Sequence, residues 1–169
     1  MANVAFVLDS DYEDSEFQQP YDRVREAGHT ATILGSEAGR ELTGKKGTSS
    51  CTVDTTVDQV DVGDFDALVI PGGYSPDKLR LNDDVVGFTR KMMESGQPVA
   101  AICHAGQLLV EAGVVEGRRM TSWPSVRTEL ELAGANWVDE EVVEDGNLIT
   151  SRNPDDLPAF CEALLTRLS

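Results

Sequence analysis

Residues 98–106 read Pro98-Val99-Ala100-Ala101-Ile102-Cys103-His104-Ala105-Gly106, an apolar run that passes without a break into a thiol, an imidazole and a glycine. So short a continuous apolar run, bounded by proline and glycine, reads as a strand buried on both faces, as parallel sheets require. Val4 to Leu8 and Ala67 to Ile70 have the same character, and Thr30 to Leu34 reads as a further strand. Helical patterns lie between and after them. Asp14 or Ser15 can cap a helix carrying Phe17, Tyr21 and Val24 up to Gly28, with Pro20 making its early turns irregular. Asn82-Asp83-Asp84 opens another, whose inward face is Val85, Phe88, Thr89, Met92 and Met93, closed by Gly96. Short helices are expected at Gln107 to Glu111 and Ser125 to Leu132, and the last helix sets Leu157, Phe160, Cys161, Leu164, Leu165 and Leu168 on one stripe. Strands alternating with helices in this way give an α/β fold, a mainly parallel, doubly wound sheet with helices on both faces. Thr-rich pieces around Gly44-Lys45-Lys46-Gly47 read as a peripheral hairpin, and short strands are expected near Trp137 to Val143 and Leu148 to Thr150.

A chain of 169 residues fits one domain spanning 1–169, and 40% hydrophobic with 26% charged residues is ordinary globular composition. The charge is not ordinary: fourteen Lys and Arg against thirty Asp and Glu leave a net charge of −16, with only four lysines among the cations. A polyanion would be repelled by such a surface, so nucleic acid is not an expected partner. A dense acidic, lysine-poor surface also suits a protein that stays hydrated in concentrated salt, which makes a halophilic origin the expectation. No stretch approaches the ~18 consecutive apolar residues of a membrane span, and Met1-Ala2-Asn3-Val4 lacks the basic start of a signal peptide, so a cytoplasmic location without membrane contact is expected. Cys51, Cys103 and Cys161 are odd in number and without CxxC spacing, which offers neither a disulfide framework nor a zinc site. With two histidines, no metal constellation is visible.

In a doubly wound sheet, ligands bind beyond the carboxyl ends of the strands. Three loops should meet there: Asp9-Ser10-Asp11-Tyr12-Glu13-Asp14, Pro71-Gly72-Gly73-Tyr74 and Cys103-His104-Ala105-Gly106. A cysteine between strand and helix sits on a sharp turn resembling a nucleophile elbow, where a helix N-terminus is expected to lower its pKa. Gly72, Gly73 and the His104 amide can form an oxyanion hole. Glu13 is a candidate acid at the thiol, and His104 the proton carrier, with Asp77 as its orienting partner in the same chain or across an interface.

Pro71-Gly72-Gly73, the run Pro98 to His104, Glu13 in Asp-Tyr-Glu-Asp, Thr121-Ser122-Trp123-Pro124 and Ser151 to Leu157 together resemble the PfpI/ThiJ family of intracellular cysteine enzymes. The resemblance covers nearly the whole chain. It implies a flavodoxin-like three-layer sandwich similar to the class I glutamine amidotransferase domain, no cofactor, and homo-oligomers, dimers or hexamers built from them. It further implies that Cys103 is the nucleophile, His104 its partner in proton transfer, Glu13 the acid at the thiol, and Gly72, Gly73 and the His104 amide the oxyanion site. In peptidase-type members a Glu of a neighbouring subunit completes a triad; the matching position holds the shorter Asp77. Where the family commonly has Gly-Pro after the His, this chain has Ala105-Gly106.

The activity expected is that of a cofactor-independent cysteine-nucleophile enzyme acting on carbonyl groups of small molecules, peptides or proteins, as an intracellular cysteine peptidase or as a protein deglycase and glutathione-independent glyoxalase. The alternative is a redox-sensing or chaperone-like stress protein in which Cys103 is oxidised to a sulfinic acid beside Glu13. A glutaminase would need a distant His-x-Glu, whereas His29 is followed by Thr30-Ala31. Simpler readings hold for other residues: Cys51 and Cys161 as inert thiols, His29 as structural, Arg152 as a partner of surface acids, and Lys45-Lys46 as a solvated hairpin tip. Trp123 is either a packed turn residue or a substrate wall.

Overall fold

The computed structural model describes residues 1–169. Its frame is a seven-stranded sheet built from β1 (Asn3–Val7), β2 (Thr30–Gly35), β5 (Thr55–Thr56), β6 (Ala67–Ile70), β7 (Val99–Ile102), β10 (Val143–Asp145) and β11 (Leu148–Ser151), in the order β10-β11-β7-β6-β1-β2-β5. Every pair is parallel except β10 with β11, an antiparallel edge turned at Gly146. Side chains of successive strand residues face opposite ways. Ala5, Val7, Leu68, Ile70, Val99 and Ala101 therefore join one core, and Val4, Phe6, Ala67, Val69, Ala100 and Ile102 the other.

The first core is covered by α2 (Ser75–Leu79), α3 (Asp83–Ser95), α4 (Gly106–Glu111) and α5 (Arg127–Leu132), through Leu79, Val85, Phe88, Met92, Leu108 and Leu130. The second is covered by α1 (Asp14–Glu26) and α6 (Leu157–Leu168), through Phe17, Val24, Leu157, Phe160, Cys161 and Leu164. Each fully buried side chain of this kind contributes about 1.5–3 kcal/mol. The product is the helix-sheet-helix sandwich that the buried strands require.

The expected hairpin forms as a separate ribbon, β3 (Glu41–Thr43) antiparallel to β4 (Ser50–Thr52), while Thr55–Thr56 leaves it to extend the main sheet beside β2. The segment from Trp137 to Val143 is not one strand. β9 (Asn136–Trp137) pairs in parallel with β8 (Arg119–Met120), and β10 begins only at Val143. Two helix expectations are corrected. α1 runs unbroken through Pro20, whose ring is buried, so packing outweighs the one backbone donor that proline lacks. Its N-cap is Glu13, whose carboxylate accepts from the Ser15 amide, and not Asp14 or Ser15. α3 has the caps its sequence specifies, Asn82 accepting from the Asp84 and Val85 amides and Gly96 left-handed at φ 83°. No helix is long and apolar enough to cross a membrane.

Candidate active site

β7, β6 and β1 are neighbours pointing the same way, so the three loops expected to meet do so at their carboxyl ends. They are sewn together by backbone. Tyr12 bridges Gly73, the Glu13 amide donates to the Gly72 carbonyl at 3.2 Å, and the Tyr74 amide donates to the Asp11 carbonyl at 2.9 Å. A Cβ at Gly72 would stand 2.5 Å from Glu16 Oε1 and 2.7 Å from the Cys103 Cβ, and Gly73 has φ 77°, so both positions need glycine.

Cys103 follows the last residue of β7 at φ 63°, and Asp11 in the adjacent loop has φ 64°. These are the two non-glycine residues of the chain with positive φ, a conformation that costs roughly 1–2 kcal/mol per residue. Strain concentrated at one sheet edge marks a functional site. The buried Cys103 thiol lies 3.1 Å from His104 Nδ1, and the Gly73 and His104 amides face it and favour its ionised form.

The acid against the thiol is Glu16, not Glu13. Glu16 projects from the first turn of α1 with no exposed surface, Oε1 accepting from the Gly72 amide at 2.9 Å and Oε2 without a partner. Glu13 sits three residues earlier, spent on the helix cap and on an ion pair with Lys46 Nζ at 2.6 Å. Lys46 and Ser15 hold its carboxyl below the ordinary range although burial opposes this. Only the position three residues further along the first helical turn reaches the Gly72 amide, beside the Cys103 side chain. The sequence signal for it was present: an acid on the inward side of α1, one residue before Phe17.

The electrostatics also depart from expectation. Burial, and then the charge of Glu16, push the Cys103 thiol up to about 12, against the pull of the two amides. Burial, and then Glu13, push the Glu16 carboxyl up to about 8. Near neutral pH Glu16 therefore holds its proton and Cys103 rests as a thiol. The expected lowering by a helix N-terminus fails because Cys103 opens a single 3-10 turn, Cys103–Ala105, ahead of the six-residue α4, while burial acts on the whole thiol. His104 is held below the ordinary range by burial and by Lys45, against the weaker opposite influence of Asp77, so its ring is neutral and able to accept a proton. A thiol 3.1 Å from a neutral imidazole can lose its proton to that imidazole as an electrophile approaches.

The other expected site residues divide. Gly73 and the His104 amide face the sulfur, but the Gly72 amide is occupied by Glu16 and is not free for an oxyanion. Asp77 is exposed on α2 and makes no hydrogen bond to His104; the group at Nε2 is the Ser125 hydroxyl, 3.5 Å away. Trp123, 40% exposed, lies with its ring 6.3 Å from that of His104 and nearly parallel to it, and its amide donates to the Cys103 carbonyl. Besides Glu16, Lys45 and Lys46 are residues of the site that sequence reasoning missed. Asp14, buried, accepts from the Lys46, Thr48 and Ser49 amides and the Thr48 hydroxyl, which folds the hairpin tip inward over the site. Half of the chain's four lysines standing side by side in so acidic a sequence was the available clue. His29 accepts from the Ala2 amide, Arg152 bridges Asp139 and Asp156, and Cys161 packs against the second core, all in structural positions. No three His, Cys, Asp or Glu side chains converge as metal ligands would.

This constellation can be compared with those of known proteins. Residues 2–167 match the DJ-1/PfpI family. The chain belongs to that family. General stress protein 18 of Bacillus subtilis is 49% identical over 158 residues, 93% of this chain and 92% of its own length. Protein/nucleic acid deglycase 2 of Escherichia coli is 47% identical over 158 residues, with the same coverage of both chains. A solved two-domain protein of Anabaena variabilis, with DJ-1/ThiJ/PfpI-like and ferritin-like domains, superposes with a TM-score of 0.98 at 40% identity. That superposition takes in 99% of this chain and 48% of the other, so the chain spans about half of that protein. For this DJ-1/PfpI chain, the flavodoxin-like sandwich expected from the sequence is the observed architecture.

Proposed function

We infer that this DJ-1/PfpI protein is a cofactor-independent enzyme in which Cys103 adds to carbonyl carbon, with glyoxal-type adducts and free glyoxals as the preferred substrates over peptide bonds. The observation that carries the reading is the wholly buried Glu16 carboxyl, packed with the Cys103 side chain against Gly72, where burial pushes it up to about 8. As sulfur bonds to carbon, the thiol proton passes to His104 Nδ1, and the carbonyl oxygen becomes an oxyanion that the Gly73 and His104 amides and the Glu16 acid can stabilise. Transfer of the carbon-bound proton to the adjacent carbonyl carbon would convert the hemithioacetal into a thioester. Water then releases an α-hydroxy acid and restores the thiol, with no external oxidant. With an adduct, the carbon–nitrogen bond breaks and the amine leaves with the proton that His104 took from the thiol; peptide cleavage asks the same donor to act on a much less electrophilic amide carbon, and in this chain the candidate orienting acid Asp77 does not bond His104.

The E. coli relative's name supports deglycation, and it includes nucleic acid, whereas the net charge of −16 favours small carbonyls and proteins as substrates here. The exposed Asp77 and Trp123 near His104, and the exposed Tyr74 after Gly73, support a homo-oligomer in which a second copy covers this rim. The test follows methylglyoxal consumption and lactate release by the wild type and Cys103→Ala in molar salt, with glycated protein, glycated oligonucleotide and a fluorescent peptide in parallel. Lactate that disappears with Cys103→Ala is the expected result. Cys103-dependent peptide cleavage without lactate would replace this reading by peptidase action.

A redox role is favoured by one feature of the same site. Two amides and a carboxylic acid facing a sulfur would bind the oxygens of a sulfinate as well as an oxyanion. Peroxide that adds the mass of two oxygens at Cys103, in a protein that turns over no carbonyl, would support that role in place of the enzyme.

A further inference from the structure

The cations of this chain are nearly all consumed by its acids or by carbonyl oxygens. Lys46, Lys78 and seven of the arginines form ion pairs, and Arg90 and Arg118 bond carbonyls. Lys45 is different. In a chain of net charge −16 its ammonium has no acidic partner and lies instead 5.8 Å from the centre of the Tyr74 ring. That placement is built. The Lys45 amide donates to the Tyr12 carbonyl at 2.9 Å, Tyr12 bridges Gly73, and the neighbouring residue is held through its amide by the buried Asp14. Tyr74 follows the glycine whose amide faces the Cys103 sulfur. A free ammonium is thus fixed at the mouth of the thiol site, and the charge of Lys45 is felt by Cys103, Glu16 and His104 alike.

We propose that the Lys45 ammonium is an anion-recognising group at the mouth of the Cys103 site. Among carbonyl compounds the site thereby prefers those with a carboxylate next to the reacting carbon, that is, α-oxo acids and adducts bearing the same group. The proposal rests on the reading of Cys103 as the reacting thiol. With such a compound the sulfur–carbon bond forms, the carbonyl oxygen takes the thiol proton by way of His104, and the carboxylate, unchanged, pairs with Lys45. Nothing is oxidised or reduced in this step.

Charge selectivity can be read without turnover. Cys103 is alkylated with iodoacetate and with iodoacetamide, reagents of similar size of which only the first is an anion, at the lowest salt that keeps the fold intact by circular dichroism. Modification is assigned to Cys103 by peptide mass. The iodoacetate-to-iodoacetamide rate ratio is expected to fall about three- to tenfold in Lys45→Met, the size of one exposed charge contact. Lys45→Arg should retain the ratio, and Lys91→Met, an equal change in net charge on α3, should leave it as in the wild type. Glyoxylate should protect Cys103 from iodoacetamide in the wild type and less so in Lys45→Met. A change in thiol pKa alone would alter both alkylation rates together and leave the ratio fixed. An unchanged ratio in Lys45→Met, or an equal fall in Lys91→Met, would overturn the proposal while leaving the carbonyl chemistry standing. A Cys103 that resists both reagents would overturn the proposal and the reading beneath it.

Discussion

Glu16 is a carboxylic acid kept neutral by its surroundings, and this has a consequence for stability as well as for catalysis. Its folded pKa, about 8, lies above the ordinary carboxyl value of 4.5. Between those two values the unfolded chain releases a proton that the folded chain retains, so the unfolded state gains and stability falls as pH rises through the window. In thermal melts, Glu16→Gln is expected to flatten the decline of the melting midpoint between pH 5 and pH 8, and a slope unchanged from the wild type would show that Glu16 is ionised in the fold. The same variant keeps an oxygen for the Gly72 amide but loses the acidic proton. Its Cys103-dependent rate is expected to fall about 100-fold or more, the scale of a lost general acid. His104 complements this acid: burial and the Lys45 ammonium keep its ring neutral, so one partner of the thiol holds a proton while the other can accept one.

At the scale of elements, the site depends on a contact between the start of α1 and the ribbon of β3 and β4. Asp14 replaces water for three amides and a hydroxyl of the hairpin tip, and a Cβ at Gly44 would run into its carboxyl carbon. Burial works against its charge, yet the donors hold the Asp14 carboxyl below the ordinary range. Asp14→Ala strands those donors and is expected to destabilise the chain by about 3 kcal/mol in urea unfolding. It should also free Lys45 and Lys46, so the charge preference of Cys103 alkylation weakens together with stability; a loss of stability with the preference intact would separate the clamp from the site. α1 thus performs three tasks within its first turn: Glu13 caps it, Asp14 holds the hairpin and Glu16 reaches the thiol. The aromatic group of Phe6, Tyr12, Phe17 and Tyr21, with ring centres 5.0–5.8 Å apart, fixes the helix to the sheet behind those three residues.

Across the whole molecule, charge is the dominant quantity. Thirty acids on 169 residues repel one another, and the ion pairs of the chain engage only some of them. Screening shortens from about 10 Å at 0.1 M salt to about 3 Å at 1 M, which relieves this repulsion. The melting midpoint is expected to rise between 0.1 M and 2 M KCl, and a flat profile would remove salt adaptation as the reason for the acidic surface. The strained Asp11 and Cys103 are carried at one edge of a sheet whose two cores, on its opposite faces, supply the stability that such strain consumes.

The sequence by itself determined the layers of this protein. Continuous apolar strands at Val4 to Leu8, Ala67 to Ile70 and Val99 to Ile102 have no solution except burial on both faces, and the caps Asn82 and Gly96 and the stripe from Leu157 to Leu168 place helices against them. It also determined that the loops of Cys103, His104 and Gly73 would meet, because each lies at or just beyond the carboxyl end of a parallel strand, whereas the place of Trp123 beside the His104 ring came from the fold. Only the tertiary structure decided which acid faces the thiol. Glu13, Asp14 and Glu16 are near neighbours in one acidic run, and their separate fates depend on the angle at which α1 leaves β1, a property of its contacts with the Gly72 loop and the hairpin and not of local sequence. The protonation states came from the same source, because desolvation is set by everything that surrounds a group, and no spacing along the chain encodes it.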